Sequence, residues 1–249
     1  MSFSPYIIMY AKLFVLLALS AANLVCAHGN IQSVTGDRGG NGTALGIKGA
    51  VVPRFGKNDV TESDTTVFGG NAKNPAQNGL GKTANGEVKV SDLKDAMALS
   101  GSTLPQVSGD GTGTITGIWR IVTSDGTAND KHGNLFAVVD PTGTGNYEDG
   151  MQLVARSTMV GNDGNVVQRA LQVIGFRKRA TNVGADARFS VNIPTGIKCT
   201  GSDSASGQGN FCLLKVANNN NNGPFGGNIA FQIAGCGHDD AKREVPFEA

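Results

Sequence analysis

The chain has 249 residues, of which 16% are charged, and its formal net charge is +1. An average domain carries about 25% charged residues, and no basic surplus exists here to draw the protein to nucleic acid or to an anionic lipid surface. Thirty-six glycines and a single tryptophan, Trp119, favour short strands joined by tight turns over a helical fold.

In chain order, the first feature is an export signal. Lys12 precedes an uncharged apolar run, Leu13 to Ala22, and Val25-Cys26-Ala27 then supplies a small residue at a cleavage position. The run is shorter than the roughly 20 residues needed to cross a bilayer, and no second one follows. Residues 1–27 are therefore read as a signal peptide cut at Ala27/His28, with no membrane association after its removal. Residues 28–236 are read as a single domain and 237–249 as a charged, poorly ordered tail.

Residues 28–49 read as a short strand, a Gly-rich loop and a second short strand. From Lys57 to Glu87 the chain is polar and predicts long loops. Ser91 to Leu99 is the one helix, with Ser91 as its cap, Leu93, Ala96 and Met97 on one face, and Ser100-Gly101 as its stop. Strands follow at Ile115–Val122, Leu135–Asp140, Arg188–Ile193 and Asn228–Ala234, and a longer, less regular one at Val166–Phe176. Phe189, Val191 and Ile193 alternate with Arg188, Ser190 and Asn192, and Ile229, Phe231 and Ile233 repeat the pattern. Period-two alternation marks strands with one buried face. Asn218–Asn222 reads as a solvated loop. The fold expected is all-β: an immunoglobulin-like β-sandwich with long Gly/Asn-rich loops and one short helix.

Cys26 leaves with the signal, so Cys199, Cys212 and Cys236 remain. Cys199 with Cys212 closes a hairpin-sized loop and is the preferred disulfide; Cys212 with Cys236 stays open as the alternative. Asn41-Gly42-Thr43 is a glycosylation sequon in a Gly-rich, exposed setting.

Several blocks carry a family resemblance. His28-Gly29-Asn30-Ile31, Gly36-Asp37-Arg38-Gly39-Gly40-Asn41-Gly42 and Ala44-Leu45-Gly46-Ile47 open the series, and Pro53-Arg54, Asp64-Thr65-Thr66-Val67-Phe68, Leu104-Pro105 and Val107-Ser108 continue it. Val139-Asp140-Pro141-Thr142-Gly143-Thr144-Gly145, Cys199-Thr200-Gly201, Asn210-Phe211-Cys212-Leu213 and Gly223-Pro224-Phe225-Gly226-Gly227 complete it. In this order they resemble the fungal appressorium-specific secreted proteins, the Egh-like virulence factors. The resemblance implies secretion during infection and a role at the cell wall or host surface, with a wall polysaccharide or host component as partner. Further cysteines of that family fall at Val216 and Asn228 here, which reads as the loss of one disulfide.

The predicted new terminus, His28, suggests a metal site. Its α-amine and ring Nδ1 chelate one ion, and a second histidine, His132 or His238, completes a three-nitrogen histidine brace. Such a nitrogen-rich tetragonal set suits copper. N-terminal histidine on a predicted sandwich resembles the lytic polysaccharide monooxygenases, so a copper-dependent polysaccharide monooxygenase is the alternative function. Tyr147, Phe176 and Phe231 are candidates for an axial position. Gly39-Gly40-Asn41-Gly42 lacks the Lys-Ser/Thr of a phosphate loop, and no Gly-x-Ser-x-Gly elbow occurs. Asp125, Asp130 and Asp140 read as solvated turn residues or a calcium loop, and Arg177-Lys178-Arg179 as a surface turn. Carbohydrate binding on an exposed aromatic row would have to use Trp119 and Tyr147.

Overall fold

A computed structural model of the chain describes residues 29–49, 63–69, 74, 76–122, 135–158, 186–220 and 223–235. The predicted signal, the strand expected at Val166–Phe176, the basic triplet at 177–179 and the tail at 237–249 lie outside them.

The alternating segments form strands as the pattern requires. The first hairpin is β1 (Gly29–Gly36) with β2 (Gly39–Gly42). Then come β3 (Thr66–Val67), β4 (Lys82–Thr83), β5 (Gly86–Glu87), a helix α1 (Leu93–Ser100) and β6 (Gln106–Val107). The longer strands are β7 (Thr114–Ile121), β8 (Leu135–Asp140), β9 (Met151–Ser157), β10 (Asp186–Asn192), β12 (Gln208–Ala217) and β13 (Phe225–Ile233), with a short β11 (Gly201–Asp203). Hydrogen bonding joins them along one path, β2-β1-β7-β10-β9-β8-β12-β13-β3-β4-β5, with β11 beside β12 and β6 beside β13.

The all-β reading with one short helix holds. The ladder, however, runs as one continuous sheet without a break into the two sheets of an immunoglobulin-type sandwich. The path curls until its distant strands meet. Leu45 N–H, just past β2, donates to the Asn228 carbonyl of β13 at 2.8 Å. A Cβ on Gly227 would lie 2.5 Å from Ala44 Cβ and 3.4 Å from Ile31 Cδ1, so glycine is what lets β1 and β13 close on each other. The space enclosed is the main core, filled by Ile31, Ile115, Trp119, Phe189, Val191, Leu214 and Phe231. Trp119 is fully buried there, and truncating such a side chain costs about 3–5 kcal/mol.

A second apolar cluster lies on the other side of β8, β12 and β13. It joins Val138, Phe211, Leu213 and Ala230 of those strands to Leu45, Leu93, Ala96 and Tyr147. β12 is therefore buried on both faces. That explains a strand the sequence pattern did not reveal: Phe211 to Ala217 is a nearly continuous apolar run rather than an alternating one. Strand β9 was also unforeseen, because Met151, Gln152 and Val154 stay exposed and blur its alternation.

Three local expectations are corrected. The described part of the 57–87 stretch contains three two-residue strands that extend the sheet beyond β13. Ser91 lies inside a 3-10 turn, Val90–Asp92, and it is the Asp92 carboxylate that accepts the Lys89 N–H at 2.9 Å. Leu93 and Ala96 do face the core, and Gly101 N–H closes the helix onto Met97 O. The asparagine tract is not a solvated loop where it is described. Asn218 is fully buried and Asn220 nearly so, and Asn218 Oδ1 accepts the Phe225 N–H at 2.9 Å, so the side chain shapes the β12–β13 connection.

Candidate functional site

The three histidines proposed for copper, His28, His132 and His238, lie outside the described residues, as does Cys236. Among the described residues no group of three or more His, Cys, Asp or Glu side chains is placed to hold a metal ion. Trp119, Tyr147 and Phe231 are each fully buried, so these rings pack the interior and form no exposed aromatic row. Asn41 is exposed on the edge strand β2, its Oδ1 accepting the Thr35 hydroxyl at 2.9 Å.

The polar chemistry that the fold does assemble begins with a lysine in the apolar run of β12. Lys215 is fully buried and stands opposite Asn228 of β13 and Val138 of β8. Its Nζ donates to the Gln77 carbonyl at 3.0 Å and lies 4.5 Å and 4.4 Å from the ring centroids of Phe68 and Tyr147. Two aromatic faces and a carbonyl replace part of the water that the ammonium lost. Burial still pushes the amine down to about 7. The Tyr147 hydroxyl donates to Asn228 Oδ1 at 2.9 Å, and Asn228 Nδ2 donates to the Leu80 carbonyl at 2.8 Å. Burial, then the Asp140 charge, holds the Tyr147 hydroxyl well above the usual phenol range, which keeps it a donor.

This network ties Phe68, the 76–80 turn and the 140–147 turn onto the sheet. Phe68 and Leu80, which meet it, line the floor of an open hollow whose rim includes Asn78, Lys82, Glu87 and Asn146. A lysine that titrates near neutrality suits proton transfer in a cleft, but the Lys215 amine has no exposed surface. The arrangement is a buried polar tie. Sequence reasoning missed it, although one cationic residue inside Phe211–Ala217 was the available sign.

Several of the sequence blocks named above prove to be joints between loops. The Asp140 carboxylate is buried. Oδ1 accepts the Thr142 N–H at 2.8 Å and its hydroxyl at 2.6 Å, and Oδ2 accepts the Gly145 N–H at 2.8 Å. Asp140 is thus neither a solvated turn residue nor, with its oxygens so engaged, an open calcium ligand. Gly143 has φ +67°, and a Cβ there would fall 2.6 Å from Gly201 Cα, which is why this turn ends in glycines. Asp37 joins the first hairpin to a distant loop, accepting from the Ser108 hydroxyl at 2.5 Å and the Thr114 N–H at 3.0 Å. Burial raises its carboxyl, but these bonds outweigh that and leave it below the usual carboxylate range. Cys199 and Cys212 form the preferred disulfide, with an S–S distance of 2.00 Å. The alternative Cys212–Cys236 pairing is thereby excluded.

The profile of Egh16-like virulence factors matches residues 26–226, a span that holds the Asp37, Asp140 and Cys199–Cys212 elements. The chain belongs to the Egh16-like family. Across 244 residues it is 30% identical to the appressoria-specific virulence factor GAS1 of Pyricularia oryzae, covering 97% of this chain and 86% of that protein. No solved structure matches. For this Egh16-like chain the register also corrects one expectation. Asn228 is the cross-strand partner of Lys215, whereas Val216 pairs with Gly227. Side chains alternate along a strand, so positions 216 and 228 face opposite sides of the sheet and no disulfide would join them.

Proposed function

We propose that the chain is a secreted, infection-associated protein acting at a cell wall or host surface. The observation that carries this reading is the family match over residues 26–226. Two features support export. The N-terminal segment has the charged start, apolar middle and small-residue cut of a signal peptide, and the Cys199–Cys212 disulfide belongs to an oxidising compartment. The test is to express a C-terminally tagged full chain in a filamentous fungus and sequence the amino terminus of the protein in the medium. A start at His28, and pelleting with isolated wall material or host surface, are expected. Retention inside the cell, or no association with either surface, refutes the proposal.

A second reading, a copper-dependent polysaccharide monooxygenase, is supported by the histidine, His28, that cleavage after Ala27 would leave at the amino terminus. Either His132 or His238 would be the partner of His28 in this reading. Copper titration of protein starting at His28 should show tight binding that one added N-terminal residue abolishes. Equal affinity in the two forms refutes the brace.

A further inference from the structure

Among the described residues, the outer face of β1, β7, β10 and β9 has no covering layer comparable to that over β12. Register places polar side chains in a row across it. Arg156 stands opposite Ser190, Ser190 opposite Thr116, Thr116 opposite Thr35, and Thr35 opposite Asn41. A shallow groove of about 510 Å³ follows this row and takes in Ser33, Thr158 and Arg188 as well. Arg188 is two residues from Ser190 on the same strand, so it and Arg156 are diagonal neighbours on one face, roughly 7–8 Å apart at the backbone.

Two features of the lining point to a ligand class. Among the described residues no carboxylate lines the groove, although acidic and basic residues are nearly equal in number in the chain, 20 against 21. Among the described residues neither the Arg156 nor the Arg188 guanidinium is engaged by an ion pair or hydrogen bond. The neighbouring Arg120 is the contrast. Its guanidinium is held by the Asp186 carboxylate through Nε and, at 2.8 Å, through Nη2, and it does not line the groove. Beside the arginines the lining mixes hydroxyl-bearing Ser33, Thr35, Thr116, Thr158 and Ser190 with apolar Val34 and Ile118. Thr35 and Thr158 also bond within the protein, but a hydroxyl can donate and accept at once and so exchange hydrogen bonds with other hydroxyls. A guanidinium presents a planar fork of donors that matches a carboxylate. The row steps at the strand spacing of about 4.8 Å, comparable to the rise per residue of an extended 4-linked pyranose chain.

We infer that this groove is a binding site for a carboxylate-bearing polysaccharide, with Arg156 and Arg188 receiving uronate carboxylates and the Ser/Thr row receiving ring hydroxyls. The inference deepens the surface-binding reading above and rests on it. The probe is a polygalacturonate oligosaccharide, titrated calorimetrically into the secreted full chain beside a neutral cello-oligosaccharide of equal length and inorganic phosphate. Wild type should bind the uronate chain, and salt should weaken it. R156Q and R188Q should each weaken it about tenfold, whereas R120Q should leave it unchanged. Equal binding by R156Q and R188Q, an equally tight neutral chain, or phosphate binding as tightly as the oligosaccharide would each overturn the site. A wild type that pellets with wall material but ignores uronates overturns this inference and spares the surface-binding reading. A wild type that associates with no wall or host surface overturns that reading, whatever the titration gives.

Discussion

One sheet carries two polar regions with opposite fates. On β12 and β13, Lys215 and Asn228 point into a second layer made by α1 and the loops around Phe68, Leu80 and Tyr147, and their polar atoms are engaged inside the protein. On β9 and β10, Arg156 and Arg188 point from the same sheet into solvent. The same strand periodicity produced both. What differs is the cover, and cover decides whether a polar side chain in a strand becomes internal glue or a surface for a partner. A buried polar group must be satisfied where it sits, while an exposed one keeps its hydrogen-bonding capacity for something else.

The comparison is broken most forcefully at Lys215. Its folded value of about 7 lies below the ordinary lysine value of 10.5. Below pH 7 both folded and unfolded chains hold the proton, and the cost of burying the cation is carried in full. Between about 7 and 10.5 the folded protein releases the proton first, the unfolded chain binds more protons, and stability rises with pH. The slope is at most about 1.4 kcal/mol per pH unit, so about 2–3 kcal/mol is gained from pH 7 to 9. Lys215→Met keeps most of the volume and removes the titration. Urea unfolding of both proteins from pH 6.5 to 9.5 should show a rise in wild type that is flattened in the variant. Parallel profiles would mean that burial of the amine exacts no such cost.

Tyr147→Phe sharpens the same contrast with a smaller effect. The ring facing Lys215 remains, but Asn228 Oδ1 loses its donor at a buried position. Leaving one such acceptor unsatisfied costs about 1–3 kcal/mol, readable as a lower urea midpoint with an unchanged slope. A loss near zero would show that the covering layer holds without this bond.

The covered and uncovered regions also differed in how far the sequence disclosed them. Phe189, Val191 and Ile193 alternate because one side of β10 meets the core and the other is polar, and Ile229, Phe231 and Ile233 alternate with Asn228, Ala230 and Gln232, which are polar or small although β13 is buried on both faces, so β10 and β13 were legible. β12 was not, because apolar side chains fill both of its buried faces, so that it loses its period and reads like any apolar run. The Cys199–Cys212 bridge was legible from spacing. Burial of Asn218 was hidden, because a polar tract looks solvated until a backbone N–H such as that of Phe225 is found to need its oxygen. Lys215 was hidden for the same reason: its partners Gln77, Phe68 and Tyr147 come from distant parts of the chain. The groove residues Arg188 and Ser190 were assigned to one face of their strand, but their alignment with Arg156, Thr116 and Thr35 exists only in the cross-strand register.

The uncovered face predicts the smallest effect on stability. Arg156 and Arg188 are exposed, and among the described residues neither guanidinium holds anything in place. Replacing both with glutamine should therefore change stability by less than about 0.5 kcal/mol, with the urea midpoint nearly that of wild type. That near-silence is itself informative. The same double variant is expected to lose uronate binding, so a face whose loss the fold does not notice would be one whose charge serves a partner. If the double substitution instead destabilised the protein by as much as Tyr147→Phe, the arginines would belong with Lys215 as internal ties, and the distinction between the two regions would collapse.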